Sequence, residues 1–392
     1  MNDIIQKIKT SNLIDHPFKI RSPINNISAK KWRLIFKIIT GSNDKRARVG
    51  TFNTPYNAVS NTDYKMPKLK FINDTLSDLY DARALEIIQN AKKTNRTIVV
   101  MWSGGIDSTS VLVSFLKHLK TNEIHLIKVI LTTASILENF DFYRRYIHNT
   151  LKCINYTTLN LDNDFFTKHI ILHGDPGNAL FGPSQMMYRP FIQDQTYLKP
   201  WKEQYSQMQS HLDHLGQQVD NTIEDFGTWY IDKVTQTLEE SGYADHVSSV
   251  ADWWWWEYFN MSWEFSCQRP FFYLRHDSYA ESISQENIKF YSQNVFFNTD
   301  KFQQWSYSNL KTLVGKDITK VKEEVKKYIY DFDKNQTYLS NKRVQGTFTP
   351  ILYKRLFYRK TVFYDQTWKG WDSNNIKNFS FLFGMLLEKF KG

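Results

Sequence analysis

The spacing of hydrophobic residues changes period near Arg96. Ahead of it Leu76, Leu79, Tyr80, Ala84, Ile87 and Ile88 recur every three or four positions, which predicts one buried helix face. From Arg96 the runs are short and continuous: RTIVVMW (96–102), IHLIKVIL (124–131), INYTTLNL (154–161) and KHIILHG (168–174). Between the first three lie DSTSVLVSFLKHL (107–119), with Val111, Leu112, Phe115, Leu116 and Leu119 on one helical face, and ENFDFYRRYIHNTL (138–151). Strands without polar alternation, separated by helices, belong to a parallel sheet covered on both faces. The expected fold class is α/β, a doubly wound parallel sheet whose ligands sit at the carboxyl ends of the strands.

Residues 1–40 carry helical periodicity only in short pieces, such as Trp32, Ile35, Phe36 and Ile39, and residues 41–68 are rich in Asn, Thr, Pro and Lys, as a linker is. This divides the chain into an N-terminal accessory segment, 1–95, and a main domain, 96–392, that turns helical after about 180. In ADWWWWEYFNMSWEFSC (251–267) Trp253, Trp256 and Trp263 fall on one side of a helix and Trp254, Tyr258, Met261 and Phe265 on another. A helix apolar all round is a buried one; base stacking on a tryptophan platform is the alternative.

Composition adds charge and compartment. Lysine and arginine exceed aspartate and glutamate by ten, so the surface attracts anions such as nucleotides, pyrophosphate or nucleic acid. Cys153 and Cys267 are the two cysteines, which leaves no zinc-ligand spacing and no disulfide framework, and a reducing cytoplasm fits best. The N-terminus has no apolar signal region, and the longest apolar run, FSFLFGMLL (379–387), is too short to span a bilayer. Neither export nor membrane insertion is expected.

The chemistry is expected where the first strand ends, at Ser103-Gly104-Gly105-Ile106-Asp107-Ser108. Two glycines let the backbone approach a bound group, and a helix starting near Asp107 points unpaired N–H groups at the turn. Such a turn makes a phosphate pocket, with hydroxyl donors from Ser103 and Ser108 and, at Asp107, a carboxylate able to hold magnesium. Neither GxxxxGK[ST] nor GxGxxG occurs.

The segment resembles the SGGxDS loop of the PP-loop ATP pyrophosphatases, which include asparagine synthetase, GMP synthetase and NAD synthetase. HGDPGNALFGPS (173–184) is similar to the SGEGSDELFGGY segment of the asparagine synthetase synthase domain and of β-lactam synthetase. The resemblance covers roughly 96–350 and implies an adenine nucleotide alpha hydrolase-like fold with ATP and magnesium as cofactors. It implies adenine contact at Gly174, a catalytic base at Asp175 and a magnesium ligand at Asn178, where the family has aspartate. Adenine would also be held by the backbone of Leu131-Thr132-Thr133-Ala134-Ser135; a polar loop with a helix cap is the plainer reading of Thr132 and Ser135. A downstream lysine that neutralises the α-phosphate in the family corresponds to Lys342, with Arg343 as the alternative, in NKRVQGTF (341–348). Asp225, Glu257 and Glu264 could also face the pocket.

The whole is similar to phage-encoded asparagine-synthase-like proteins, for which the compartment would be the host cytoplasm. The chain opens Met1-Asn2, where a glutamine-hydrolysing relative exposes a nucleophilic cysteine, so ammonia or an amine would come from solution, from the substrate or from a partner glutaminase. The expected activity is that of an AMP- and pyrophosphate-forming ligase acting on a small-molecule substrate. The alternatives are a nucleic-acid or nucleobase modifying enzyme of the same superfamily, favoured by basic charge and 12 tryptophans, and a non-catalytic nucleotide-binding protein.

Overall fold

The computed structural model describes residues 31, 48–50, 64, 66–155, 162–182, 185–219, 222–264, 266–267, 283–314 and 320–341. They fall into two compact units. One holds the described parts of Met1–Thr75 and Asp175–Val321, the other those of Leu76–Gly174 and Lys322–Gly392.

The second unit is α/β and carries a four-stranded, all-parallel sheet. Helix α1 (Leu76–Thr94) buries Leu76, Leu79, Tyr80, Arg83, Ala84, Ile87, Ile88 and Ala91 along one face. Asp78 in its first turn and Lys92 and Lys93 in its last complement the helix dipole. Strand β1 (Thr97–Met101) leads into helix α2 (Ile106–His118), β2 (Ile127–Leu131) into the short helix α3 (Thr133–Glu138), and β3 (Lys152–Asn155) is followed by α4 (Asn163–Lys168) and β4 (His169–His173). The sheet order is β3-β2-β1-β4. Met101 pairs in register with Ile130 on one side and His173 on the other, so the strands end level with one another. The chain steps outward from β1 to β2 to β3 and returns to the far side of β1 for β4, as in a Rossmann-like layout. That reversal puts a switch point at the carboxyl ends of β1 and β4, where open α/β sheets bind ligands. Helices α11 (Glu323–Asp333) and α12 (Gln336–Asn341) complete the unit.

Two elements differ from the sequence expectation. The third strand begins at Lys152, and residues 156–161 lie outside the described residues. The helix expected over 138–151 is broken: α3 starts earlier, because Thr132 and Ser135 form a reciprocal cap, and after Asn139 a single turn, Phe140–Phe142, runs into a π-helical turn, Tyr143–Ile147. The Asn139 carboxamide accepts from the Phe142 N–H and so starts a new turn where the old one ends.

The first unit is helical in its described part, with α5 (Gln185–Gln193), α6 (Tyr205–Val219), α7 (Phe226–Ser241), α8 (Val250–Met261), α9 (Gln285–Asn294) and α10 (Asp300–Val314). Trp253 to Trp256 on α8 are each at most 1% exposed, so none of these rings can stack on a base and the buried-helix reading holds. The Trp255 indole N–H donates to Ser306 Oγ (2.9 Å), which donates to the Leu180 carbonyl (2.6 Å). Arg48 is pinned by the Tyr64 and Phe259 carbonyls and by Gln303, and burial lowers its guanidinium pKa to about 10. No described helix is long and apolar enough to cross a membrane.

Candidate functional site

Strand β1 delivers the chain to Trp102, which is buried, still bonds β2 through its N–H to the Ile130 carbonyl, and fixes its indole on Thr109 Oγ1 at 3.0 Å. The following turn depends on glycine. Gly104 has φ +77°, and a Cβ there would stand 2.4 Å from the Ser135 carbonyl oxygen and 2.7 Å from Glu138 Cβ, so α3 lies directly on the loop. Gly105 is the N-cap of α2 in extended conformation, and no side chain caps that helix. The first-turn amides therefore lack intrahelical acceptors at the end where the dipole is positive. Ser103 and Ser108 bind the loop to itself: their hydroxyls are 2.9 Å apart, the Ser103 N–H donates to Ser108 Oγ (3.1 Å), and the Gly105 N–H donates to Ser103 Oγ (3.3 Å).

Gly174, at the end of β4, closes the other side. A Cβ on it would sit 2.7 Å from the Ser108 amide nitrogen and 3.1 Å from Asp107 Cβ. Leu131 ends β2 with its side chain buried, so only its backbone can face a ligand, and Thr132 caps α3 by accepting from the Ser135 N–H (3.1 Å). Ser103, Gly104, Gly105, Asp107, Ser108, Leu131, Thr132 and Gly174 thus lie at the carboxyl edge of one sheet. The glycines let α3 and the end of β4 pack directly against the turn and the start of α2, and the first-turn amides and hydroxyls gathered there suit phosphate.

Asp107 meets a residue that sequence reasoning missed. Lys322 Nζ lies 2.6 and 2.5 Å from the two Asp107 carboxylate oxygens, with the lysine side chain 3% exposed and the aspartate 16%. Lys322 immediately precedes α11, whose buried positions include Val325, Tyr328, Ile329 and Asp333. The one signal in the sequence is its spacing: three and seven residues ahead of Val325 and Ile329, it heads the apolar stripe.

Behind the loop α1, α2 and α11 are locked together. Ser110 Oγ donates to the Asp107 carbonyl (2.8 Å) and contacts the Tyr80 hydroxyl (3.0 Å), and the Tyr80 ring stacks on Tyr328 at 5.0 Å. Tyr328 donates to Asp81 (2.5 Å), which also holds Lys117. Tyr338 on α12 has a buried hydroxyl without a hydrogen bond of normal geometry, Thr109 being a marginal partner; burial, and then the Asp107 and Asp333 carboxylates, push its phenol well above the ordinary value. Arg145 secures the end of α11 through the Asp333 carbonyl (2.7 Å) and carboxylate (3.3 Å).

The remaining expected site residues belong to the helical unit or lie outside the described residues. Asp175 opens the helical unit half-buried, and Asn178 is exposed on a 3₁₀ turn, Gly177–Phe181, in that unit. In the same unit Glu257 is fully buried and accepts from the Tyr230 hydroxyl, Glu264 is buried, and Asp225 is an exposed helix-entry residue with φ 54°. Lys342 and Arg343 lie outside the described residues. Among the described residues no group of three or more His, Cys, Asp or Glu side chains could hold a metal ion. Magnesium is commonly held by one or two carboxylates plus substrate phosphates, and Asp107 could supply one of them.

Comparison with protein-family models, with curated proteins and with solved structures finds no match to this chain.

Proposed function

We propose that this protein is an AMP- and pyrophosphate-forming synthetase of the PP-loop, asparagine-synthase-like type. One observation carries the reading: a positive-φ glycine turn leaves the sheet at its switch point and enters an uncapped helix, with Asp107 in the first turn against a buried lysine. The Gly104–Ser108 backbone would hold the β and γ phosphates at the α2 N-terminus, and Asp107 would be the protein ligand of magnesium. Bound there, magnesium would neutralise phosphate charge. Lys322, fixed within reach of the same carboxylate, supplies a cation at the loop independently of Lys342.

With pyrophosphate gripped as the leaving group, an oxygen of the acceptor would attack the α phosphorus and pyrophosphate would depart. Ammonia or an amine would then displace AMP from the acceptor. By resemblance Asp175 would take the proton from the attacking amine, Gly174 and the backbone at Leu131 and Thr132 would meet the adenine, and Asn178 would face the magnesium.

A second reading, non-catalytic nucleotide binding, draws on the same loop: both oxygens of Asp107 are engaged by Lys322, and Asn178 lacks the charge the family places there. Incubation with ATP, magnesium, ammonium and cell extract, followed by chromatography of the nucleotides, separates the two. AMP and pyrophosphate support the synthetase, ADP and orthophosphate overturn it, and saturable ATP binding without turnover favours the second reading.

A further inference from the structure

The opposite end of the sheet, where the strands begin, carries a row of positive charge that the nucleotide reading does not use. Lys152 opens β3, Lys128 is the second residue of β2, Arg96 immediately precedes β1 and Lys168 immediately precedes β4, whose first residue, His169, adds a polar but uncharged ring. Lys128 and Lys152 are direct register partners, so two like charges face each other across adjacent strands, an arrangement that destabilises a sheet. Lys128 also reaches over β1 to His169, with Nζ 3.2 Å from Nε2. His169 Nδ1 lies 2.9 Å from the Phe165 carbonyl and must donate to it, so Nε2 is the acceptor and the imidazole is neutral. Among the described residues neither Lys128 nor Lys152 meets a carboxylate; Asp164 pairs with Lys168 and also acts on His169. Burial and then Lys152 lower the Lys128 ammonium pKa, and burial, Lys128 and Lys168 all act to lower that of His169.

Basic residues at helix ends are explained by the dipole, but Lys128 and Lys152 belong to strands and have no such reason to be there. Adjacent strands are about 4.8 Å apart, so these residues spread over roughly 14 Å across the sheet, longer than any single phosphate group, with Lys128 and Lys152 level with Val99 and Arg96 and Lys168 just before the Thr97–His169 pair. At one end the half-buried Phe165 ring stacks on His169, with centroids 4.2 Å apart. Cations spread over neighbouring strands beside a stacked aromatic pair suit the alternation of phosphates and bases along a nucleic-acid strand.

We propose that this edge, formed by Lys152, Lys128, Arg96, Lys168 and His169 with Phe165, binds the backbone of single-stranded nucleic acid. The site is separate from the phosphate loop and does not depend on the function proposed for it.

Fluorescence anisotropy of the full chain with a labelled oligouridylate of about 20 nucleotides, titrated over a range of salt, tests it. Lys128→Gln/Lys152→Gln should raise Kd at least about tenfold and reduce the slope of log K against log salt by about 1.4, the loss of two phosphate contacts. A control with the same charge change elsewhere, Lys289→Gln/Lys311→Gln at exposed positions, should stay within about twofold of wild type. The edge variant should melt at or above the wild-type Tm, since a like-charge pair is removed; if it does not fold, the exposed Lys152→Gln alone carries the test. Magnesium-ATP should not displace the oligonucleotide. No RNA binding by the wild type, equal weakening in both double variants, displacement by ATP, or binding to phosphatidylserine vesicles with none to RNA would each overturn the assignment.

Discussion

Lys322 and Asp107, 215 positions apart in the chain, meet as a nearly buried ion pair at the mouth of the glycine turn. The pair joins the head of α11 to the first turn of α2. It also places a fixed cation where the loop geometry calls for negatively charged groups.

Lys322→Met should therefore be costly. Removing one partner of a buried pair leaves the other charge uncompensated, a loss of about 3 kcal/mol. Urea unfolding should register that loss, and the double variant Asp107→Asn/Lys322→Met should recover most of it. A single variant as stable as wild type would show that the pair contributes nothing to the fold. Binding of a non-hydrolysable ATP analogue should weaken in the single and stay weak in the double.

The two loop glycines should respond very unequally. Gly104→Ala brings a methyl group to 2.4 Å from a carbonyl oxygen at φ +77°, and a loss of about 2 kcal/mol or more is expected, together with loss of nucleotide binding. At Gly105 φ is −72° and the new methyl group meets only Ser103 Oγ at 3.2 Å. Gly105→Ala should cost less than about 1 kcal/mol. Thermal melts of the two proteins decide it, and equal Tm losses would contradict the described turn.

Asp107→Ala should abolish ATP-dependent pyrophosphate formation while circular dichroism remains native, because it removes the first-turn carboxylate proposed to hold magnesium at the loop. Under the proposed function, Asn178→Asp should lower the magnesium concentration needed for half-maximal activity, since it adds a charge. An unchanged metal midpoint would remove Asn178 from the ion.

At Asp81 burial favours the neutral acid, but hydrogen bonds from Lys117, Tyr328 and His118 outweigh it and hold the carboxyl below its ordinary 3.8. A depressed folded pKa means stability that is fully present above 3.8 and is lost as pH falls through the lower folded value. The stability difference between wild type and Asp81→Asn should accordingly be constant from neutral pH down to near 4 and shrink below it. Urea titrations across that range test the sign; a difference that grows on acidification would reverse it.

How much of this was legible in the sequence varies with how local the cause is. The β1 strand, its glycine turn and α2 could be read directly, because apolar runs and glycines act through neighbouring residues. The burial of Trp253 to Trp256 followed from a helix with no polar face. Lys322 could not be read as a partner, since its one local mark, heading the apolar stripe of α11, says nothing of a contact across most of the chain. The third strand was placed too late because Lys152 and Cys153 do not look like a core strand; in the fold they are an edge strand, which need not be continuously apolar.

The strand-bearing unit is assembled from two stretches separated by about 150 residues of the other unit. During synthesis the sheet and the glycine turn emerge first, yet α11, which covers Tyr80 with Tyr328 and delivers Lys322, follows only after that long interval. At translation rates of about 5–20 residues per second the delay is roughly 7–30 s. An interval in which Tyr80 lacks Tyr328 and Asp107 lacks Lys322 is therefore built into the order of the chain.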